Sequence, residues 1–393
     1  MPRSQAQQVR FSSESFWFLP AATRIFIVPS LIVAMLCNTI MNAFRGMSSG
    51  VEPVSDTRDS NQGRFVSAQA VAERAGVSRS AVSRAFTPGA SIAPATLAQV
   101  REAAAALGYQ VNDLARGLLA NRSRLVGLVT SDADAPFQAQ LVAAISHALI
   151  ERSNVPVIIS IGSTADDVAN ASRQLLRYRA EATVFLSGSP PVSLVELTRR
   201  NGQPLIVVNR AETGLDSVHC DDRDGAQQAF EALRLAGGSR FAVVNRANPC
   251  LSLAAREHAF AEFATASGFE TKIVRASRAD YDGGKEAARQ LLACGPIPDA
   301  VFCVNDLMAF GTLDYIRGAG LYVPNDVSVI GFDDVPMAAW SSYGLTTLRQ
   351  DPQRIARDVI SILNRRLAEP DSPPISVHFP VELVIRETIK ARR

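Results

Sequence analysis

Cysteine and histidine are scarce in this 393-residue chain, and neither forms a cluster. The five Cys (37, 220, 250, 294, 303) make no CxxC pair and no zinc-ligand spacing, and the four His (147, 219, 258, 378) are scattered. That excludes a structural zinc module and a disulfide scaffold. The thiols are expected to be reduced and mostly buried, in a cytoplasmic protein. No GxGxxG or GxxxxGK[ST] follows an apolar run, which argues against dinucleotide and P-loop sites. No Ser–His–Asp or Cys–His arrangement is suggested. The chain is therefore read as a non-enzyme, with no catalytic residue, metal or cofactor. An excess of charge is missing as well: 40 basic residues stand against 38 acidic ones, a net of +2. Apolar residues at 47% and charged residues at 20% describe a chain able to bury a core, and its length suggests two or three domains.

Long hydrophobic runs are absent, with one exception. Residues 25–44, IFIVPSLIVAMLCNTIMNAF, carry no charge over a length that could span a bilayer, although Pro29, Asn38 and Asn42 interrupt it. Three readings compete for this N-terminal extension, residues 1–63. One is a start at Met47 or nearby, leaving residues 1–46 as upstream sequence; this is the expectation. The others are a membrane tether and a signal-like segment.

What is present is concentrated in residues 64–124. VSAQAVAERAGVSRSAVSRAF reads as two short helices around a turn. Ser67 can cap the first, Gly76 can end it in a left-handed conformation, and Ser78 can cap the second. Val71, Ala72 and Ala75 form one apolar stripe; Val82, Ala85 and Phe86 form the next. Arg79, Ser80, Ala81 and Arg84 are left on the outward face. Pro88 and Gly89 break the helix, Pro94 suits the first turn of a third, and Gly108 ends it. This stretch holds eight Arg against Glu73, Glu102 and Asp113, a net of +5, while the chain from 125 onward nets −4. A positive charge gathered on a three-helix head is what phosphate contact requires, and an Arg on a helix in the major groove is the usual reader of guanine. The expected domains are a helix-turn-helix DNA-binding domain at 64–110, a hinge helix and linker at 111–124, and a third domain at 125–393, which the resemblance given below makes an effector-binding and dimerisation domain.

From residue 125 the pattern changes to apolar strand, amphipathic helix, apolar strand. LVGLVT, VPVIIS, ATVFLS, PLIVVN, RFAVVN, DAVFCV and VSVIGF are runs of the kind found in parallel strands covered on both faces. Ligands in such folds bind beyond the carboxyl ends of strands. Asp132, Asp134 and Phe137 follow the first run, Asn209 and Arg210 the fourth, Asn245 and Arg246 the fifth, Asn305 and Asp306 the sixth, and Asp333 and Asp334 the last.

These segments resemble the lactose/galactose-repressor (LacI-type) family of bacterial regulators. AERAGVSRSAVSRAF is similar to that family's turn and recognition helix, NDLARGLL to its hinge, and GFDDVP with LTTLRQD to its late signature; the likeness runs from about residue 65 to about 390. It implies an all-α helix-turn-helix headpiece plus an α/β periplasmic-binding-protein-like effector domain of two doubly wound subdomains. It makes Arg79, Ser80 and Arg84 the major-groove readers, with Ser78 at the helix start. Asn112 and Arg116 fall in the hinge, and Leu118 is the side chain wedged into the minor groove. Gly117 and Leu119 depart from the family's commonest hinge pattern, and Gly weakens a helix by about 1 kcal/mol. In the effector domain the resemblance implies Phe137 as a stacking aromatic, Ser252 and Arg256 as polar contacts, and Asp306 as the ligand-holding carboxylate; Asp132 and Arg210 complete the expected set. These groups suit a sugar or sugar derivative.

The chain is expected to cross between subdomains near Asp221–Asp222, near Asp333–Gly344 and near Pro370–Pro374. The partners implied are near-palindromic double-stranded operator DNA, a small-molecule effector and a second copy in a homodimer, with no leucine-heptad tail to drive a tetramer. The function implied is a transcriptional repressor whose operator affinity is switched by the effector. A membrane-tethered regulator and a secreted sugar-binding protein are the alternatives.

Overall fold

A computed structural model describes residues 65–87, 89–112, 123–161, 165–187, 190–293 and 295–391. The expectations for residues 1–63, including the run 25–44, and for Arg116, Gly117, Leu118 and Leu119 lie outside the described residues. The chain divides into two compact units, residues 1–111 and 112–393.

The first unit is helical: α1 (Ala68–Ala75), α2 (Arg79–Ala85) and α3 (Pro94–Leu107). Its boundaries follow local chemistry. Ser67 Oγ accepts from the Ala70 N–H at 3.1 Å, and Ser78 Oγ from the Ala81 N–H at 3.3 Å. Gly76 and Gly108 end α1 and α3 in left-handed backbone, which costs glycine nothing. Pro94 opens α3 without losing a bond, because its first-turn N–H would be orphaned anyway. Helices this short do not persist alone in water. They are held by a small core of Val71, Ala72, Val82, Ala85, Val100, Ala103 and Ala104.

The second unit holds two six-stranded sheets. In chain order its elements begin β1 (Leu125–Thr130), α4 (Pro136–Glu151), β2 (Val155–Ser160), α5 (Ala165–Arg177), β3 (Ala182–Phe185), α6 (Val192–Arg200), β4 (Leu205–Val208) and β5 (Asp216–Cys220). Then come α7 (Asp222–Leu235), β6 (Phe241–Arg246), α8 (Leu251–Ala266), β7 (Thr271–Ala276), α9 (Tyr281–Ala293), β8 (Ala300–Cys303), α10 (Asp306–Gly318) and β9 (Ser328–Asp333). The chain ends with β10 (Thr346–Arg349), α11 (Pro352–Ala368), β11 (Ser376–Phe379) and β12 (Glu382–Val384). The first sheet is ordered β11-β5-β4-β3-β1-β2 and the second β12-β10-β9-β8-β6-β7. All pairings are parallel except β10 with β12. The central strands are fully buried, as their apolar runs require.

The sheets correct three expectations. The crossings between the halves lie at Asp221, at Gln350–Asp351 and at Pro380–Val381. The first was expected; the second lies at the end of the LTTLRQD signature, just past the expected 333–344, and the third was not expected. The segment Asp333–Gly344 stays on the second sheet, because Val335, Ala338 and Leu345 are buried in its core and β10 pairs beside β9. The Pro370–Pro374 turn joins α11 to β11 within the first half. VPVIIS is a strand, but it forms an edge, and Val155 and Ile158 remain 53% and 52% exposed. Among the described residues no helix is long and apolar enough to cross a membrane.

Candidate functional site

Two surfaces carry candidate chemistry. On the first unit, Ser78 starts α2 and its hydroxyl lies 2.9 Å from that of Ser80. Arg79, Ser80 and Arg84 are exposed. Ala81, expected outward with them, is buried: it lies one turn before Ala85 and so shares the core face. Arg74, Arg79, Arg84 and Arg101 are all exposed on this unit. Asn112, the first residue of the second unit, is exposed.

On the second unit a cavity of about 370 Å³ opens beside the first crossing. Arg210, reached after β4, and Ser252, on the first turn of α8, both line it, with His219, His378, Asp222 and Leu251. Arg210 is mostly buried and lies 2.5 Å from Glu212. The Ser252 hydroxyl is 3.4 Å from the Cys250 thiol. His219 and His378 are paired neighbours on β5 and β11, with rings 6.1 Å apart and stacked. Asp132 is exposed, accepting from the Ser131 hydroxyl, and Phe137 is buried on the first turn of α4; neither lines this cavity.

Arg256 stands behind the cavity wall and is only 4% exposed. Its Nε donates to Asp222 Oδ1 at 2.7 Å and its Nη1 to the Val304 carbonyl at 2.8 Å. Asp333 Oδ1 lies 3.6 Å from the same guanidinium, and the Phe332 ring sits 3.5 Å beneath it. Burial alone would weaken its charge, but Asp222 and then Asp333 hold it protonated beyond the ordinary arginine range. Asp333 is pushed up to about 6, first by burial and against the pull of Arg256. Its backbone sits at φ 123° and that of Asp334 at φ 55°, a region L side chains rarely adopt.

Asp306 begins α10 and is fully buried. The Thr347 hydroxyl donates to its Oδ1 at 2.5 Å and the Val335 N–H to its Oδ2 at 2.9 Å. Burial, then the nearby Asp333, pushes its carboxyl well above the usual range. A side chain at Gly331 would stand 2.3 Å from that carboxylate, so glycine is needed there for close approach. Of the expected effector set, the fold thus brings Arg210 and Ser252 to one cavity and Arg256 to its rear wall. It holds Asp306 fully buried between Thr347 and Val335, outside the cavity lining.

Four participants escaped the sequence reading. Asp222 registered only as a crossing, although it ties Arg256 to the cavity. His219 and His378 meet only because β11 pairs with β5, two strands without a long apolar run. Gln350 donates to Asp333 Oδ1 at 2.7 Å, while its Oε1 is buried with no hydrogen-bond partner among the described residues.

Residues 230–389 match the periplasmic binding protein-like domain family. The HTH-type transcriptional regulator CelR of Thermobifida fusca is 29% identical over 329 residues, covering 81% of this chain and 96% of that protein. A transcriptional regulator CelR–cellobiose complex superposes with a TM-score of 0.62 at 27% identity, covering 82% of this chain and 99% of the other. The fold is also that of a lac repressor dimer bound to operator and the anti-inducer ONPF, with a TM-score of 0.76 at 24% identity over 84% of this chain and all of that one. With a capped helix-turn-helix and a two-sheet clamp in one chain, it is similar to the helix-turn-helix transcriptional regulators of the LacI/GalR family.

Proposed function

We propose that this chain is an operator-binding repressor whose DNA affinity is set by a polyhydroxylated small molecule, a sugar or sugar derivative, held in the cleft of the second unit. The observation that carries the reading is the contrast within one chain. Exposed Arg79, Ser80 and Arg84 stand on a capped helix, while Arg210, Ser252 and the Asp222–Arg256 pair gather at a cavity large enough for a sugar. Arg79 and Arg84 would read guanine edges, with Ser78 and Ser80 fixing the helix on the groove. Asn112, Arg116 and Leu118 belong to the hinge in this reading, and Leu118 would wedge the minor groove at an unstacking cost of roughly a few kcal/mol. The domain limits follow as 64–110 for DNA binding, 111–124 for the hinge and 125–393 for effector binding and dimerisation. Asp132, Phe137 and Asp306 complete the effector set when the cleft changes shape. The protein would act in the cytoplasm as a homodimer, because a twofold protein fits a near-palindromic site. It needs no catalytic group.

The cellobiose-bound relative supports the effector class. The test is fluorescence-anisotropy titration of DNA from the protein's own upstream region, at two salt concentrations, with and without a panel of sugars. A sequence-specific, salt-sensitive complex shifted by one sugar is expected. Sequence-indifferent binding unmoved by every sugar would overturn the reading.

A further inference from the structure

The lining of the cavity beside the first crossing is unevenly supplied with donors and acceptors. Two carboxylates line it, Asp221 and Asp222, and both are engaged by the chain itself. Asp221 Oδ1 accepts from the Asp224 N–H at 2.9 Å and so caps α7. Asp222 Oδ1 accepts from Arg256 Nε at 2.7 Å. Glu212, close by, is paired with Arg210. The groups left to meet a ligand at this wall are mainly donors.

Those donors come from three elements. Arg210, beyond β4, lines the cavity with a permanent charge on a planar fork. Helix α8 starts at the cavity, which Leu251, Ser252 and Ala255 line. Its N-cap is Cys250, no side chain caps it, and no acid stands in its first turn. Such a start leaves backbone N–H groups unpaired and carries the positive end of the helix dipole. The third contribution is the histidine pair, in register on β5 and β11. The His219 ring is committed to its own strands. Its Nδ1 donates to the Cys220 carbonyl at 3.1 Å, and its Nε2 lies 3.3 Å from the Ser376 hydroxyl. His378 is exposed and stacks on that ring, with centroids 6.1 Å apart. It also lines the cavity, so its imidazole is available to a ligand there.

We infer that the effector carries an anionic group, a carboxylate or a phosphate on the sugar, seated between Arg210, His378 and the start of α8. This rests on the effector reading above and narrows its ligand class. A sugar hydroxyl donates as well as accepts, and a wall whose carboxylates are engaged leaves its proton poorly served. An anionic oxygen only accepts, which matches what the wall offers. Bonds to it are charge-assisted and about twice as strong as neutral ones. A helix start that no side chain caps favours the same ligand chemistry as the guanidinium and the imidazole. His378 is thereby a specificity-determining residue, because it distinguishes an anionic sugar from its neutral parent.

The test is calorimetric titration of the full chain with three matched sets. These are D-glucose, D-glucuronate and D-glucose 6-phosphate; D-galactose, D-galacturonate and D-galactose 6-phosphate; and D-ribose, D-ribonate and D-ribose 5-phosphate. In one set the acid or the phosphate should bind at least about tenfold more tightly than the neutral parent, the worth of one charged hydrogen bond. Which of the two binds separates a carboxylate effector from a phosphate one. His378→Leu should cut the preference to below about threefold. His378→Glu should reverse it, because a carboxylate there repels the anion. His378 is exposed, so both variants should unfold within about 0.5 kcal/mol of wild type and keep its sugar-free DNA affinity. Neutral parents that bind as tightly as their acids and phosphates overturn the inference and leave the effector reading standing. A wild-type preference retained by either variant also overturns it. If no member of any set binds, the effector reading fails and the inference with it.

Discussion

Arg84 and Arg256 are the same side chain put to opposite uses in the two units. On the helical head every described arginine is exposed, and the core beneath is seven small residues. Its charge is kept in water, ready for phosphate and base edges. In the two-sheet unit Arg256 is nearly sealed, stacked on Phe332 and flanked by Asp222 and Asp333. A buried charge survives only when paired and hydrogen-bonded, so Arg256 is fixed in place by the surroundings that its removal would expose. The head can lose an exposed arginine at little cost in stability, whereas loss of the buried Arg256 leaves two carboxylates without their counter-charge. Exposed arginines of the head can therefore change with few structural consequences, whereas changes around Arg256 are coupled to stability.

The largest test of that difference is Arg256→Met. It leaves Asp222 and Asp333 without their counter-charge and should destabilise the second unit by about 3–5 kcal/mol in urea unfolding. Arg84→Met should leave unfolding within about 0.5 kcal/mol of wild type. Equal stability for the two variants would remove the contrast.

Next comes DNA affinity. Arg84→Ala should lose about 1–3 kcal/mol of operator binding and relax one operator position. Binding equal to wild type at every position would reject Arg84 as a reader.

A third effect is in pH. Asp333 is raised in the folded state to about 6, so the folded protein binds its proton more tightly than the unfolded chain. Stability from this group is greatest below the unfolded value and is lost as pH rises through about 6. Asp306, raised by burial, acts in the same direction. Melting of the second unit followed from pH 4 to 8 should show the loss, and Asp333→Asn should flatten it. An unchanged profile in the variant would place the titration elsewhere. The exposed arginines of the head predict no counterpart there.

The smallest expected effect compares two caps. Ser78→Ala and Asp351→Ala each remove one helix-capping bond, about 1 kcal/mol apiece. The loss should shift the melting of the small head more than that of the large unit. Equal shifts in both transitions would mean that Ser78 contributes little as a cap.

Legibility followed the range of the interactions. Ser67, Gly76, Ser78 and Gly108 act within a few residues of themselves, and all are found where their chemistry suggested. The apolar runs of β1, β3, β4, β6, β8 and β9 were readable because strands covered on both faces need continuous apolar residues. The strands that escaped, β5, β7, β10, β11 and β12, lie at or next to sheet edges, and none carries a long continuous apolar run. Ala81 was misplaced because a seven-residue helix shows too few turns to fix its faces. Proline and glycine suggested crossings at 333–344 and 370–374, but these are turns within one half. The real second crossing falls on Gln350 and Asp351, the last two residues of the LTTLRQD signature rather than the Pro/Gly-rich stretch before it.

Sequence alone determined the helix boundaries of the head, the outward placing of Arg79, Ser80 and Arg84, the concentration of positive charge there, and the alternating layers of the second unit. Each depends on neighbours within a turn or a strand, or on composition. Tertiary structure decided that Arg256 meets Asp222 and Asp333, that His219 stacks on His378, that Asp306 is sealed by Thr347 and Val335, and that Gln350 bonds to Asp333. Those partners are 17 to 159 positions apart in the chain, and only the folding of two sheets around shared crossings brings them together.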